Sequence, residues 1–246
     1  MKFFSSIGSY ALFIQRVFSK PEKWSIYYRR TIVEIDTLGI NSIGIVVIIS
    51  VFMGAVITLQ TAYNTTNPFL PKYLIGLAAR DSIILEFSST IVALILAGKV
   101  GSNIASEIGT MRITEQIDAL EIMGVNSAGF LVMPKIIAAM FFFPLLTILS
   151  IFVGIFGGWL VGEFTGVVTT MEYIKGIQWG FVPFYVTYSL IKTVFFAFLI
   201  TSVSAYHGYN VQGGSLEVGR ASTTAVVVSS ILVLLFNLIL TKLLLA

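Results

Sequence analysis

Two charged side chains interrupt long apolar runs in this sequence, Glu86 within Ser82 to Gly98 and Lys192 within Phe181 to Tyr206. A charge held at the centre of a bilayer costs roughly 2.5 kcal/mol or more, so such a residue faces water, a partner or a cavity. Acids gather in one further place, where Glu107, Glu115, Asp118 and Glu121 stand against only Lys99 and Arg112. There is one histidine, His207, and no cysteine. That excludes thiolate or histidine-rich metal sites and cysteine nucleophiles, and His207 has no evident triad setting. No GxxxxGK[ST] or GxGxxG stretch is present, and Gly98-Lys99 has no glycine five residues before it. The chain therefore carries no phosphate-cradling loop of its own. Gln212-Gly213-Gly214-Ser215 faintly resembles an ABC signature but, without a P-loop, reads as a connection. No catalytic residue and no metal ligand is expected.

The elements that position these charges follow from composition. Of 246 residues 57% are hydrophobic and 11% charged, with a mean hydropathy of +0.94. Soluble domains carry about a quarter charged residues, so the bilayer is the natural solvent and the length suits a single membrane domain, 1–246. A membrane-crossing helix needs about 20 mostly apolar residues. Ile40 to Thr61, Ile136 to Gly162 and Ala221 to Thr241 contain no charge before Lys242. With the two interrupted runs they make five spans, and the fold class is an all-α polytopic membrane protein. Met1 to Lys20 has apolar residues at helical spacing, including Phe3, Phe4, Ile7, Ala11, Ile14 and Phe18, and no continuous apolar core. It reads as a helix lying in the membrane interface rather than a signal peptide, and the interfacial region extends over 1–36. Trp24, Tyr27 and Tyr28 fall where an aromatic belt belongs.

Lysine and arginine distribution sets the orientation. With the N-terminus in the cytoplasm, ten basic residues fall inside, among them Arg16, Lys20, Lys23, Lys99 and Lys135, and four fall outside, Lys72, Arg80, Lys175 and Lys242. Tyr63 to Tyr73, with Pro68 and Pro71, and Gly162 to Gly180 are then external, and His207 to Gly219 is internal. Small residues recur every four positions at Ala93, Ala97, Gly101, Ala105 and Gly109, and again at Gly154, Gly158 and Gly162. Such stripes let helices approach closely, here chiefly within the subunit, with a seam between subunits as the alternative.

The segment 99–126 is too polar to span. Ile104, Ile108 and Met111 share one helical face, as do Ile113, Ile117 and Leu120, so the segment reads as amphipathic helix with a break near Gly109 or Thr114. Helices resting on anionic lipid are usually basic. This acidic one fits a protein partner, with a solvated loop helix as the plain alternative.

The same segment resembles the signature of the MlaE-type permeases, the ABC permeases that work with MCE-domain lipid-binding proteins. The resemblance is carried by Ala97-Gly98-Lys99-Val100-Gly101-Ser102, Ala105-Ser106-Glu107-Ile108-Gly109-Thr110-Met111-Arg112, Thr114-Glu115-Gln116-Ile117-Asp118-Ala119-Leu120-Glu121 and Met123-Gly124-Val125. It continues at Met133-Pro134-Lys135, Pro144-Leu145-Leu146, Gly157-Gly158, Gly208-Tyr209, Gly213-Gly214, Val218-Gly219-Arg220-Ala221 and Thr223-Thr224-Ala225-Val226-Val227. The sequence departs from the family at Lys99, where arginine is common, and at Glu86-Phe87-Ser88-Ser89, where many members have Glu-Leu-Gly-Pro.

The resemblance implies a homodimeric, five-span permease of the bacterial inner membrane, with an interfacial N-terminal helix and a cytoplasmic coupling helix. Two ATPase subunits would dock on the coupling segment, supplying ATP and Mg, and an MCE-domain protein would sit on the outer face. The cargo would be phospholipid or a related lipid, and no nucleic acid is expected. The coupling residues would be Glu107, Gly109, Met111, Arg112, Thr114, Glu115, Gln116, Asp118, Leu120 and Glu121. Glu86 and Arg220 would lie on the substrate path. The structural alternative for Glu86 is an ion pair with Arg80 or another nearby base; for Arg220 it is interfacial anchoring. An ion-coupled carrier and a membrane-embedded lipid enzyme are the competing classes. An enzyme of that kind needs clustered intramembrane acids, and the spans offer only Glu86 and Lys192.

Overall fold

The computed structural model describes residues 2–19, 24–65 and 70–245. Lys20, Lys23 and Pro68, used above for orientation and for a turn, lie outside them. Every regular element among the described residues is helical. Helix α1 is Lys2–Phe18. Trp24–Glu34 passes through a wide π-helical stretch, Ile35–Ile40, into Asn41–Asn64, and together these make one continuous helix, α2. The others are α3 (Tyr73–Ile113), α4 (Gln116–Ile122), α5 (Ser127–Thr165), α6 (Thr170–Gln178), α7 (Phe184–Tyr209) and α8 (Ser215–Leu245). Five of these, α2, α3, α5, α7 and α8, are long and apolar enough to cross a membrane; each covers one expected span, except that α7 begins at Phe184 rather than at the expected Phe181.

The helices overrun those spans. At 1.5 Å per residue, the 41 residues of α3 reach about 60 Å, twice a hydrocarbon core of about 30 Å. Its polar end from Ser102 to Ile113 is thus the continuation of a membrane helix rather than a separate amphipathic one. The α2 helix likewise begins inside the region expected to lie at the interface.

The fold comprises two compact units. The first is Met1–Ser42, Ala93–Phe143 and Val194–Ala246; the second is Ile43–Val92 and Pro144–Thr193. In the first, the stripe on α3 serves packing: a side chain on Gly208 of α7 would collide with the Ala105 backbone at 2.6 Å, and one on Gly109 would meet Val218 of α8 at 3.1 Å. Helix α1 docks on α7 through aromatic edges, with Tyr10 5.6 Å from Tyr206 and Phe13 5.2 Å from Tyr209 between ring centres. The Tyr10 and Ser202 hydroxyls are 2.7 Å apart.

In the second unit, α2 and α5 approach until a Cβ on Gly54 would lie 1.8 Å from the Gly154 carbonyl oxygen, so the second glycine stripe also packs inside the subunit. Buried hydroxyls tie three helices there, Ser50 to Ser150 at 2.8 Å and Ser150 to Ser88 at 3.1 Å. Such bonds add to close packing where no hydrophobic force separates helix from lipid. The connection 162–180 holds the additional helix α6, opened by a Thr169–Glu172 capping box. Its last carbonyls, those of Ile177 and Trp179, accept from the buried Arg80 guanidinium at 2.7 and 2.8 Å, a basic cap at a helix C-terminus.

Candidate coupling and substrate site

Helix α3 ends because Glu115 adopts φ 59°, a left-handed conformation that costs a residue with a side chain. The chain turns there and restarts as α4. Gly124, at φ 80°, ends α4 in turn: its N–H donates to the Glu121 carbonyl at 2.9 Å and that of Val125 to Leu120 at 3.1 Å. This is the left-handed cap that glycine adopts without a side-chain clash. The expected break thus falls at Thr114–Glu115 and not at Gly109, which is buried inside α3.

The ten residues expected in the coupling segment divide into a backing and a free face. The carboxylates of the half-exposed Glu107 and of Glu34 both accept from the ammonium of Lys135, at 2.8 and 2.7 Å. Lys135 is 2% exposed. Arg112 reaches across the break to Asp118 at 2.6 Å. One oxygen of Glu121 accepts from Arg16 at 2.7 Å, Tyr209 at 2.8 Å and Ser127 at 2.9 Å. Partial burial pushes the Glu121 carboxyl up, but the hydrogen bonds from Tyr209 and Ser127, with the Arg16 charge, outweigh it and hold the carboxyl below the usual range. Ile117 is fully buried, and Met111 and Leu120 are half-buried. Thr114, Glu115 and Gln116 are exposed. So are two apolar side chains that periodicity did not single out, Ile122 at 87% and Met123 at 68%. Both stand where the α4 pattern runs out, so helical spacing gave them no face.

Glu86 lies in a second π-helical stretch, Ile83–Ile91. It pairs with Lys192 of α7 at 3.0 Å and accepts from Thr90 at 3.0 Å. Arg80 is not its partner, being taken up by Asp81 at 2.7 Å and by the end of α6. Lys192 is wholly buried and donates also to the Leu85 carbonyl at 3.2 Å and the Tyr188 hydroxyl at 3.1 Å. The Glu86 side chain remains 41% exposed. The pair thus turns a carboxylate toward the surroundings and keeps the base inside. Arg220 lies in the other unit, on α8, paired with Glu217 at 2.6 Å.

Five long apolar helices that pack on glycine, with a charge pair in the apolar interior, define an all-α multi-pass membrane protein. The chain matches the family model described as Permease MlaE over residues 31–243. It is 35% identical to a probable ABC transporter permease protein of Rickettsia bellii, over 97% of this chain and 92% of that one. It is 33% identical to the intermembrane phospholipid transport system permease protein MlaE of Haemophilus influenzae, over 85% and 80%. It is also 27% identical to the chloroplast protein TRIGALACTOSYLDIACYLGLYCEROL 1 of Arabidopsis thaliana, over 89% and 63%. The chain belongs to the MlaE permease family.

Proposed function

We propose that this permease works in an ABC transporter that moves phospholipids or related lipids between the inner membrane and an MCE-domain lipid carrier. Two copies of the chain form the membrane part, and two separate ATPase subunits bind ATP and Mg and dock at α4. The N-terminus faces the cytoplasm, a reading that the basic asymmetry supports.

The observation that carries the proposal is the build of α4. Its exposed face presents Glu115 and Gln116 beside Ile122 and Met123. Behind it stand the Arg112–Asp118 and Glu121 contacts and the buried Ile117. A helix that passes force between chains needs this combination, an apolar and acidic free face on a rigid backing. Lipid as cargo is supported by the name of the Haemophilus relative and by the half-exposed Glu86 carboxylate, which offers a polar partner for a headgroup among apolar helices.

The test changes only the free face. The chain is isolated from its own membranes with its bound subunits, and co-isolated ATP hydrolysis and ATP-dependent phospholipid release are measured. Glu115→Lys with Met123→Asp is expected to abolish both, with the chain still inserted in the membrane. Asp118 is left unchanged because its loss would also break the Arg112 brace. Undiminished ATP hydrolysis and release by the double variant would overturn the docking site.

A further inference from the structure

Tyr209 is the last residue of α7 and is 7% exposed. Its hydroxyl donates to a carboxylate oxygen of Glu121 on α4 at 2.8 Å. The Ser127 hydroxyl, at the start of α5, lies 2.8 Å from the Tyr209 oxygen and donates to the same Glu121 oxygen at 2.9 Å. Two hydroxyl protons thus meet one carboxylate oxygen, and hydrogen bonds to a charged acceptor are the strong ones. Helix α5 follows α4 directly in the chain, so Ser127 reinforces a tie that is already covalent. Tyr209 is 88 residues from Glu121, and there the side chains alone make the tie.

The ring of Tyr209 adds to that tie. The Arg16 guanidinium of α1 lies 6.0 Å from its centre, and that of Arg112, at the end of α3, lies 5.9 Å from it, both within the reach of a cation–π contact. Each guanidinium also holds an acid of α4, Arg16 with Glu121 at 2.7 Å and Arg112 with Asp118 at 2.6 Å. Asp118 and Glu121 are three apart and share one face of α4. That face stands on Tyr209 directly and through both arginines. The two arginine pairs are part-exposed and so individually weak. The tyrosine bond is made by a buried residue, where the lower local dielectric strengthens it.

We propose that Tyr209 is the positioning residue that joins the docking helix to the membrane-crossing α7, so that a displacement of α4 passes to the end of α7 through the Tyr209 hydroxyl. The assignment rests on the docking of ATPase subunits at α4 and says where the force goes next. The free face of α4, with Glu115 and Met123, receives the partner. The face with Asp118 and Glu121 delivers the motion to α7.

The experiment uses the chain isolated with its bound ATPase subunits and returned to vesicles of phosphatidylethanolamine and phosphatidylglycerol. Lipid released per ATP hydrolysed is measured, together with hydrogen exchange in the presence and absence of ATP and orthovanadate. Tyr209→Phe keeps the ring and removes only the hydroxyl. It is expected to lower the lipid released per ATP about ten-fold, the weight of one hydrogen bond to a charged group. Tyr206→Phe, at a ring that meets Tyr10 of α1 at 5.6 Å, is expected to keep the wild-type ratio. In the wild type, nucleotide should change exchange in α4 and in the last turns of α7 together; in Tyr209→Phe the change should persist in α4 and fade in α7. A wild-type ratio in Tyr209→Phe, or an undiminished α7 response, would overturn the assignment and leave docking at α4 as it was, since the free-face double variant decides docking. Loosening of both helices without nucleotide, with their responses still joined, would make Tyr209 merely structural and overturn it as well.

Discussion

Lys135 and Lys192 are both buried lysines inside long helices, and they are solved differently. Lys135 answers two carboxylates, Glu34 and Glu107, whose side chains are 18% and 45% exposed. It joins α2, α3 and α5 directly behind the segment that leads into α4. Lys192 answers one carboxylate, which is 41% exposed. The first arrangement is a clamp in which one buried base is held by two acids from different helices. The second is a buried base that holds an acid out toward its surroundings. A clamp fixes geometry, whereas a supported acid can exchange its partner for a ligand. Counting charges per span does not separate these two cases; the number of acids that each lysine holds does.

The comparison is broken most directly at Lys135. Lys135→Met leaves Glu34 and Glu107 without their base, and removing one member of a buried pair costs about 3–5 kcal/mol. Thermal unfolding in detergent should show this loss, and it should exceed that of Lys192→Met, which strands one acid rather than two. Equal losses at the two lysines would erase the distinction between clamp and support.

A sharper and smaller effect is expected within the second pair. Glu86→Gln leaves a wholly buried ammonium with only neutral acceptors and should destabilise more than Lys192→Met, by up to about 3 kcal/mol. Combining the two should recover most of the loss, because nothing charged is left buried. The double variant therefore separates folding from transport: a stable protein with impaired lipid release would place Glu86 in the mechanism. Full lipid release by the double variant would make the pair structural.

The smallest effect concerns α4 and pH. Glu121 is held below the usual carboxylate range by its hydrogen bonds and by Arg16, after burial has pushed it the other way. A lowered folded value means that its contribution is complete above the ordinary glutamate range, near 4.3, and is lost as the pH falls through the lowered value. Hydrogen exchange in α1 and α4, taken relative to the intrinsic rate at each pH, should therefore rise on acidification in the wild type. In Glu121→Gln that step should be absent; an identical rise in both would remove Glu121 from the link between α1 and α4.

The sequence by itself determined the class of this protein. Five apolar runs of bilayer length, the glycine stripes and the motif from Ala97 to Val125 are local properties, written in consecutive residues and in periods of about four. Hydropathy and spacing read such properties directly. It also bounded the break between α3 and α4 to Gly109 or Thr114. Which was correct depended on what Gly109 packs against, and that is Val218, more than a hundred residues away. The partners of the charges were equally out of reach. Glu86 finds Lys192 rather than Arg80, six residues away in sequence, because Arg80 is drawn to the carbonyls at the end of α6. Lys135, which reads as a boundary between loop and span, lies buried between two acids because α2, α3 and α5 run past the bilayer-length segments that hydropathy detects. A groove beside Arg220, lined by Tyr10 of α1, Val203 of α7 and Val228 of α8, arises from three helices at once. Each helix carries part of its lining, and only their packing brings the parts together, because burial and charge pairing are settled between segments rather than along one.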